Sequence, residues 1–150
     1  MKLYNSGLGT SGTGNPSLEN QEYENTISDI QKDLLTAELD ANGVKYNKDD
    51  IVFIAKGLNG KTVWLETGNT KAGLQHILDA HEKDFNNKGI PTNEIPNLLL
   101  KALTKGKDTG KIQGRAPGRP IYEVDYNGNT IHVAITVASN GFIVGANPCD

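Results

Sequence analysis

Two of the three histidines of the chain, His76 and His81, lie five residues apart in the stretch "AGLQHILDAHEKDF", residues 72–85. Imidazole gains and loses a proton near neutral pH, so a pair of histidines can supply the acid and the base of a proton-transfer reaction. Helical metal-binding pairs use spacings of three or four residues, because only those place both rings over one point. A spacing of five, in a chain with one cysteine, therefore predicts no metal and no cofactor.

The two histidines occupy different faces of the helix predicted over residues 72–85. At about 100° per residue, His76 lies on the flank of an apolar stripe, about 140° from His81. That stripe consists of Leu74, Ile77, Leu78, His81 and Phe85. His81 is therefore either a buried residue that positions the helix or the proton-transfer partner of His76. Gly73, at the start of the helix, would permit the close approach of another backbone or a ligand.

Positive charge is concentrated in one glycine-rich stretch. The whole chain has a formal charge of −3, whereas residues 101–150 carry six Lys and Arg against four Asp and Glu, a balance of +2. Residues 105–120, "KGKDTGKIQGRAPGRP", contain four glycines, two prolines and five cations. This composition predicts a mobile polar loop, which is either a solvated lysine-rich segment or a surface that meets phosphates. Arg115 and Arg119 would clamp phosphate oxygens, because guanidinium can donate two hydrogen bonds at once.

The rest of the pattern predicts an α+β fold. Apolar spacing of three and four indicates helices at 23–39 and 91–103, in addition to the helix that carries the histidines. Strands at 51–57 and 61–68 form a hairpin about Asn-Gly, and residues 121–146 form a three-stranded meander. The order helix, hairpin, helix, helix, meander is typical of α+β proteins.

The middle strand of that meander, "TIHVAITVA" (130–138), has two unlike faces. One face carries the branched apolar residues Ile131, Val133, Ile135 and Val137, and the other carries His132, Ala134, Thr136 and Ala138. A strand face of small and polar residues is suited to be the floor of a ligand site. Thr136 could then donate a hydrogen bond to a phosphate oxygen.

These groups are the ingredients of phosphodiester cleavage without a metal. RNA carries its own nucleophile, the 2′-hydroxyl group. An enzyme therefore needs only a base, an acid and cations that neutralise the charge developing on the phosphate. The histidines supply the first two functions and the arginines the third.

Two parts of the sequence resemble a known class of bacterial toxin. Leu3-Tyr4-Asn5, followed by a Gly/Ser/Thr-rich stretch, resembles the motif that opens the toxin region of contact-dependent growth inhibition effectors. The Gly, Ser, Thr, Asn and Pro composition of this stretch predicts a flexible linker at residues 1–18. The resemblance implies an N-terminal helical or entry segment at 19–60 and a toxin domain at 61–150. It also implies a surface-presented or secreted parent effector that delivers this region into the cytoplasm of a target bacterium.

The second part, from "GNTKAGLQHILDAHEKDF" through "YEVDYNGNTIHVAITVASNGFIVGANP", resembles nucleases of the barnase/EndoU/colicin/RelE superfamily. The chain lacks the Gly-Gly-His pattern of bacterial EndoU proper. The resemblance implies N-terminal helices packed on a twisted antiparallel sheet, a metal-independent ribonuclease that most often cuts tRNA, and a cognate immunity protein as a heterodimeric partner. The superfamily's positions match His76 or His81, Arg115 or Arg119, and Thr136. Residues expected to contact RNA are Lys101, Lys111, Tyr122 and His132.

Other readings of the sequence remain open. The chain could be a non-catalytic module that binds RNA or an acidic protein through its basic loop, or a toxin that cuts DNA. No apolar run is long enough to span a bilayer, so we expect no membrane insertion of this region.

Overall fold

The computed structural model describes residues 16–150, and their side chains from Ser28 onward. The chain divides into two compact units, with the boundary between Leu34 and Leu35. The helices and strands are α1 (Pro16–Ala41), β1 (Ile51–Lys56), β2 (Thr62–Glu66), α2 (Leu74–Asn87), α3 (Ile95–Lys105), β3 (Lys107–Gln113), β4 (Arg119–Tyr126), β5 (Asn129–Val137) and β6 (Ile143–Cys149). Three helices and two antiparallel sheets confirm the predicted α+β class.

Helix α1 is longer than its sequence pattern indicates. It begins at Pro16, seven residues before the predicted start at residue 23. Proline is well suited to a first helical turn, because its ring fixes φ near the helical value and the amide it lacks would have no helical partner there. Most of the predicted linker at residues 1–18 lies outside the described residues, which begin at residue 16.

The apolar spacing within α1 does not form one buried stripe. Ile30 and Leu34 have 48% and 66% of their surface exposed, whereas Leu35 and Leu39 are buried. The apolar spacing that indicates this helix therefore does not tell which of its residues are buried. Helical spacing shows which residues share a face, but not whether another element covers that face.

The predicted hairpin at residues 51–68 is confirmed. Strands β1 and β2 pair antiparallel, with Ile54 opposite Trp64, and Gly60 adopts a positive φ in the turn. The end of α1 is held to this hairpin by Glu38, whose carboxylate accepts hydrogen bonds from Lys56 and from the hydroxyl of Thr62. Those two bonds lower the pKa of Glu38 below its ordinary value, the bond from Lys56 contributing most.

The second sheet has the order β3-β4-β5-β6, and its last three strands confirm the predicted meander. The first strand was not predicted. Half of the basic stretch expected to be a mobile loop is instead the edge strand β3, paired antiparallel with β4. The register shifts between Asp108 and Ile112, where Gly110 has a positive φ. Lysines and a bulge are typical of an edge strand, because both discourage pairing with another chain.

Helices α2 and α3 and the sheet enclose the core. The two helices contribute Ile77, Phe85, Leu98, Leu99, Ala102 and Leu103, and the sheet contributes Val124, Val133, Ile135, Ile143 and Ala146. The predicted helix at 91–103 begins later, at Ile95, after a single 3-10 turn. One face of the sheet is thus buried by helices, which leaves its other face for a site. No helix among the described residues is long and apolar enough to cross a bilayer.

Candidate active site on the polar face of the sheet

The pairing of β4, β5 and β6 aligns side chains in rows across the face of the sheet that points away from the core. Ile121, Ala134 and Asn147 form the middle row, and Glu123, His132 and Cys149 form the row nearer the β4–β5 turn. Thr136 is paired with Gly145, and the β4–β5 register continued by two residues places Arg119 opposite Thr136. We call this surface the polar face. It includes the small and polar side of β5 expected to be a ligand floor.

Helix α2 begins against strand β6, at one edge of the polar face. Gly73 caps the helix with φ of 92°, and its amide donates to the carbonyl of Val144 at 3.0 Å. A Cβ at Gly73 would lie 2.9 Å from the carbonyl oxygen of Glu66, so only glycine fits without displacing backbone. The close backbone approach expected at Gly73 is present, and it fixes where the first turn of α2, with His76, meets the sheet.

The ring of His76 has a defined hydrogen-bonding state. Its Nδ1 lies 2.9 Å from the carbonyl oxygen of Thr70. A carbonyl can only accept, so Nδ1 must carry the proton of that bond. In the neutral ring, Nε2 then carries the lone pair, which is the state required of a general base.

The imidazole of His76 and the guanidinium of Arg119 meet above Gly145. A Cβ placed on Gly145 would lie 3.0 Å from Nη2 of Arg119 and 3.5 Å from Cδ2 of His76. The absence of a side chain at this position therefore makes room for both groups. Helix α2 and strand β4 are distant in sequence, and β6 brings their two functional groups together.

Arg119 is oriented by a buried amide. Its Nη1 donates to Oδ1 of Asn147 at 2.9 Å, and Nδ2 of Asn147 donates to the carbonyl of Pro148 at 3.0 Å. The second bond fixes which end of the amide faces the guanidinium. Asn147 is 9% exposed, so it can hold this orientation without exchange with solvent.

The charge of Arg119 is partly desolvated and has a neutral partner. Burial lowers the pKa of Arg119, although guanidinium stays protonated in proteins. Among the described residues, no carboxylate forms an ion pair with Arg119. The amide of Asn147 accepts a hydrogen bond but does not neutralise the charge. A half-buried cation without a counter-ion is suited to bind an anion such as a phosphate.

His81 lies in a different environment from His76. Its Nδ1 is 2.8 Å from Oδ2 of Asp84, and its side chain is 31% exposed. Of the two alternatives for His81, the buried residue that positions the helix is wrong, since Ile77 and Phe85 are the fully buried residues of α2. Five residues of helix also separate the two histidines by about 7.5 Å along the axis. The structure thus brings His76, and not His81, to Arg119.

Three other residues that the sequence suggested for binding phosphate or RNA lie in a turn or on the core side of the sheet. Arg115 is exposed in the turn between β3 and β4. Lys101 is exposed on α3, which packs on the core side of the sheet, so Lys101 does not belong to the polar face. Tyr122 also lies on the core side, where burial and then the charge of Asp108 raise its pKa.

Lys111 and His132 lie together in a second cleft of the polar face, which we call the β3 cleft. Its volume is about 450 Å³, and its lining residues are Lys107, Thr109, Lys111, Ile121, Glu123, His132 and Asp150. His132 Nε2 lies 3.3 Å from Oε2 of Glu123 on the neighbouring strand. Of the four residues expected to contact RNA, these two are placed in one surface.

Sequence reasoning missed Asn147, Gly145 and Glu123, and it placed Lys107 in the basic stretch without assigning it to a site. Strand alternation could have identified Gly145 and Asn147. Gly145 pairs with Thr136 and Asn147 pairs with Ala134, so both lie on the polar face. Lys107 and Glu123 depend on the pairing of β3 with β4, and β3 was taken for a loop.

Among the residues that the structure describes, no three His, Cys, Asp or Glu side chains are grouped so as to hold a metal ion. No protein-family model matches this chain, and no curated protein matches it.

Proposed function

We propose that the unit Leu35–Asp150 is an endoribonuclease that needs no metal and cleaves RNA by acid–base transesterification. One observation carries the proposal. His76, with its Nε2 lone pair free, and the half-buried guanidinium of Arg119 converge above Gly145. A base and a preorganised cation within reach of one phosphate are the two groups that this reaction needs most.

The reaction follows from those positions. Nε2 of His76 takes the proton of a 2′-hydroxyl, and the 2′-oxygen attacks the adjacent phosphorus. Nη2 of Arg119 and the hydroxyl of Thr136 donate to the phosphate oxygens as negative charge develops on them. The bond from phosphorus to the 5′-oxygen then breaks, and that oxygen takes a proton from water on the open face. The products are a 2′,3′-cyclic phosphate and a free 5′-hydroxyl.

The finer fold assignment is part of the same proposal. Helices α2 and α3 precede and pack against an antiparallel sheet, as expected for the barnase/EndoU/colicin/RelE superfamily. The histidine lies on a helix, and the basic and hydroxyl residues lie on adjacent strands, which agrees with the superfamily positions expected from the sequence.

The biological setting rests on the sequence resemblance. We propose that the chain is the toxin region of a contact-dependent growth inhibition effector, that tRNA is its main substrate, and that a cognate immunity protein forms a heterodimer with it. A surface-presented or secreted parent protein would deliver it into the cytoplasm of the target cell. The entry role of residues 19–60 stays a prediction.

The direct test is cleavage of tRNA by purified protein in EDTA, followed by analysis of the RNA ends. We expect cutting with 2′,3′-cyclic phosphate ends, and its loss in His76→Ala. His81→Ala is the matched control, because it removes a histidine from the same helix but outside the site, so this variant should still cut. A strict requirement for a divalent metal, or ends that carry a 5′-phosphate, would contradict the proposal.

A non-catalytic RNA-binding module is the second candidate, and the lysines of the β3 cleft favour it. It predicts RNA affinity that falls with salt and survives loss of His76, without turnover under any condition. A DNA-cleaving toxin would be distinguished from the proposed ribonuclease by cleavage of DNA. DNA lacks the 2′-hydroxyl on which the proposed mechanism depends, so the ribonuclease cannot cut it.

A further inference from the structure

The segment that joins β2 to α2, residues 67–73, is closed on itself by backbone contacts, and we call it the β2–α2 loop. Gly68 and Gly73 both have positive φ, and a Cβ on Gly73 would lie 2.9 Å from Cα of Gly68. A Cβ on Gly68 would overlap the carbonyl oxygen of Ala72. The two ends of the loop therefore meet backbone to backbone, which leaves room only for glycine.

Both ends of this loop are tied to the rest of the unit. The amide of Thr67 donates to the carbonyl of Asp50 at 2.9 Å, and the carbonyl of Thr67 accepts from the amide of Gln75 at 2.9 Å. At the other end, the amide of Gly73 is bonded to β6. The ends are therefore fixed, whereas residues 69–71 between them are exposed.

Within the exposed part, Asn69 makes the bonds that hold the backbone. Its amide donates to the carbonyl of Ala72 at 2.9 Å, and its Oδ1 accepts from the amide of Lys71 at 2.8 Å. The second bond is an Asx turn, in which an asparagine side chain binds the backbone amide two residues further on. That amide belongs to the peptide unit between Thr70 and Lys71, so Asn69 fixes the plane of this unit.

The same peptide unit binds His76 on its opposite side. The N–H of Lys71 and the C=O of Thr70 lie in one planar trans unit and point in opposite directions. Oδ1 of Asn69 accepts from the N–H, and Nδ1 of His76 donates to the C=O at 2.9 Å. A rotation of the peptide plane would break both bonds. The side chains of Asn69 and His76 are therefore coupled through this unit.

We propose that Asn69 is a positioning residue, which fixes the peptide unit between Thr70 and Lys71 and thereby holds the neutral ring of His76 as the Nδ1–H tautomer. The inference rests on the proposed function, in which Nε2 of His76 takes the proton of the 2′-hydroxyl. Without the bond from Asn69, the peptide unit can turn and Nδ1 loses its acceptor. The ring is then free to carry its proton on Nε2, where it cannot act as the base.

The test is Asn69→Ala, with Asn59→Ala as the matched control. Asn59 makes the same kind of bond, since its Oδ1 accepts from the amide of Lys61 at 3.0 Å, but it lies in the β1–β2 turn. The tautomer is read from long-range proton–nitrogen NMR spectra of isotope-labelled protein, at a pH well above the ordinary imidazole pKa. The chain has three histidines, and the ring signals lost in His76→Ala identify His76. We expect Nδ1–H in the parent and in the control, and Nε2–H in Asn69→Ala.

RNA cleavage gives a second readout. Asn69→Ala should lower kcat about tenfold while KM changes by less than about twofold, because Arg119 and Thr136 still bind the phosphate. Asn69→Asp should restore the Nδ1–H tautomer and most of kcat, since a carboxylate oxygen accepts the same bond from Lys71.

An unchanged tautomer in Asn69→Ala would overturn the inference and leave the proposed activity in place. Equal changes in Asn69→Ala and Asn59→Ala would also overturn it, because loss of any Asx turn would then suffice. If the tautomer changes only in Asn69→Ala, but the parent cuts no RNA or cuts it no faster than the variant, the positioning role stands and the proposed role of His76 as the base fails.

Discussion

The two ends of the polar face are built differently. At the β6 end, Arg119 is half-buried and bonded to a buried amide, and His76 is held by a backbone carbonyl. At the β3 end, exposed lysines project from an edge strand. Chemistry at a phosphorus atom needs groups fixed within a fraction of an ångström, whereas attraction of a polyanion tolerates mobile charges. On the proposed function, this difference favours the β6 end as the place of the reaction.

The largest effect that tests this comparison is expected from Arg119→Ala. Loss of the guanidinium removes the main stabilisation of charge on the phosphate, and kcat/KM should fall by about 10²- to 10³-fold. Arg119→Lys should recover little of this, because an ammonium cannot form the paired hydrogen bonds of guanidinium. Arg115→Ala is the control, since Arg115 is exposed in the β3–β4 turn. An equal loss at Arg115 would contradict the division of the face.

The next effect concerns the residue that positions Arg119. Asn147→Asp keeps the shape of the side chain but places a carboxylate beside the guanidinium, which then neutralises the charge meant for the phosphate. We expect kcat to fall about 10- to 100-fold with KM changed much less, while the melting temperature rises because a buried cation gains a counter-ion. A variant with normal kcat would show that Asn147 serves only packing.

A smaller effect is expected from Gly145→Ala. The added Cβ would lie 3.0 Å from Nη2 of Arg119, so the guanidinium must shift by a few tenths of an ångström. We expect about a tenfold loss of kcat/KM with little loss of stability. Gly57→Ala is the matched control, because its Cβ would meet neighbours at 3.4 Å or more and its φ is not positive. Equal activity of the two variants would mean that Gly145 is not the floor of the site.

The smallest effect lies away from the polar face, at Glu38. Its native pKa is lowered by Lys56 and Thr62, so the unfolded chain binds a proton more readily than the native protein does. This carboxylate therefore stabilises the fold above its unfolded pKa of 4.5, and the contribution disappears as pH falls through the native value. Glu38→Gln should lower the melting temperature at pH 7, and the difference from the parent protein should shrink as the pH falls below 4.5, with RNA cleavage unchanged at pH 7.

Some elements of this molecule were predictable because their signals are local. Asn59-Gly60 and residues 127–129 specify tight turns between apolar runs, and both hairpins formed as predicted. Strand β3 was not predictable in this way, because "KDTGKIQ" has no apolar alternation and becomes a strand only through pairing with β4.

The site shows the same limit. Wheel geometry placed His76 and His81 on different faces of the helix, but it gave directions and not neighbours. It therefore left open whether His81 is buried, and the structure shows its side chain 31% exposed. The bond between Arg119 and Asn147 joins residues 28 apart in the chain, and no local pattern encodes it. Arginine and histidine were identified by their chemistry, whereas the amide and the glycine that bring them together required the register of the sheet.

The central claim is that His76 and Arg119 act on one phosphate as a single unit. A double-mutant cycle of His76→Ala and Arg119→Ala, measured as kcat/KM for tRNA cleavage in EDTA, tests it most directly. The account predicts that the double variant is no more than a few-fold slower than the slower single variant, because either substitution already disables the same transition state. Losses that multiply in the double variant would show that the two residues act independently, and would contradict the account.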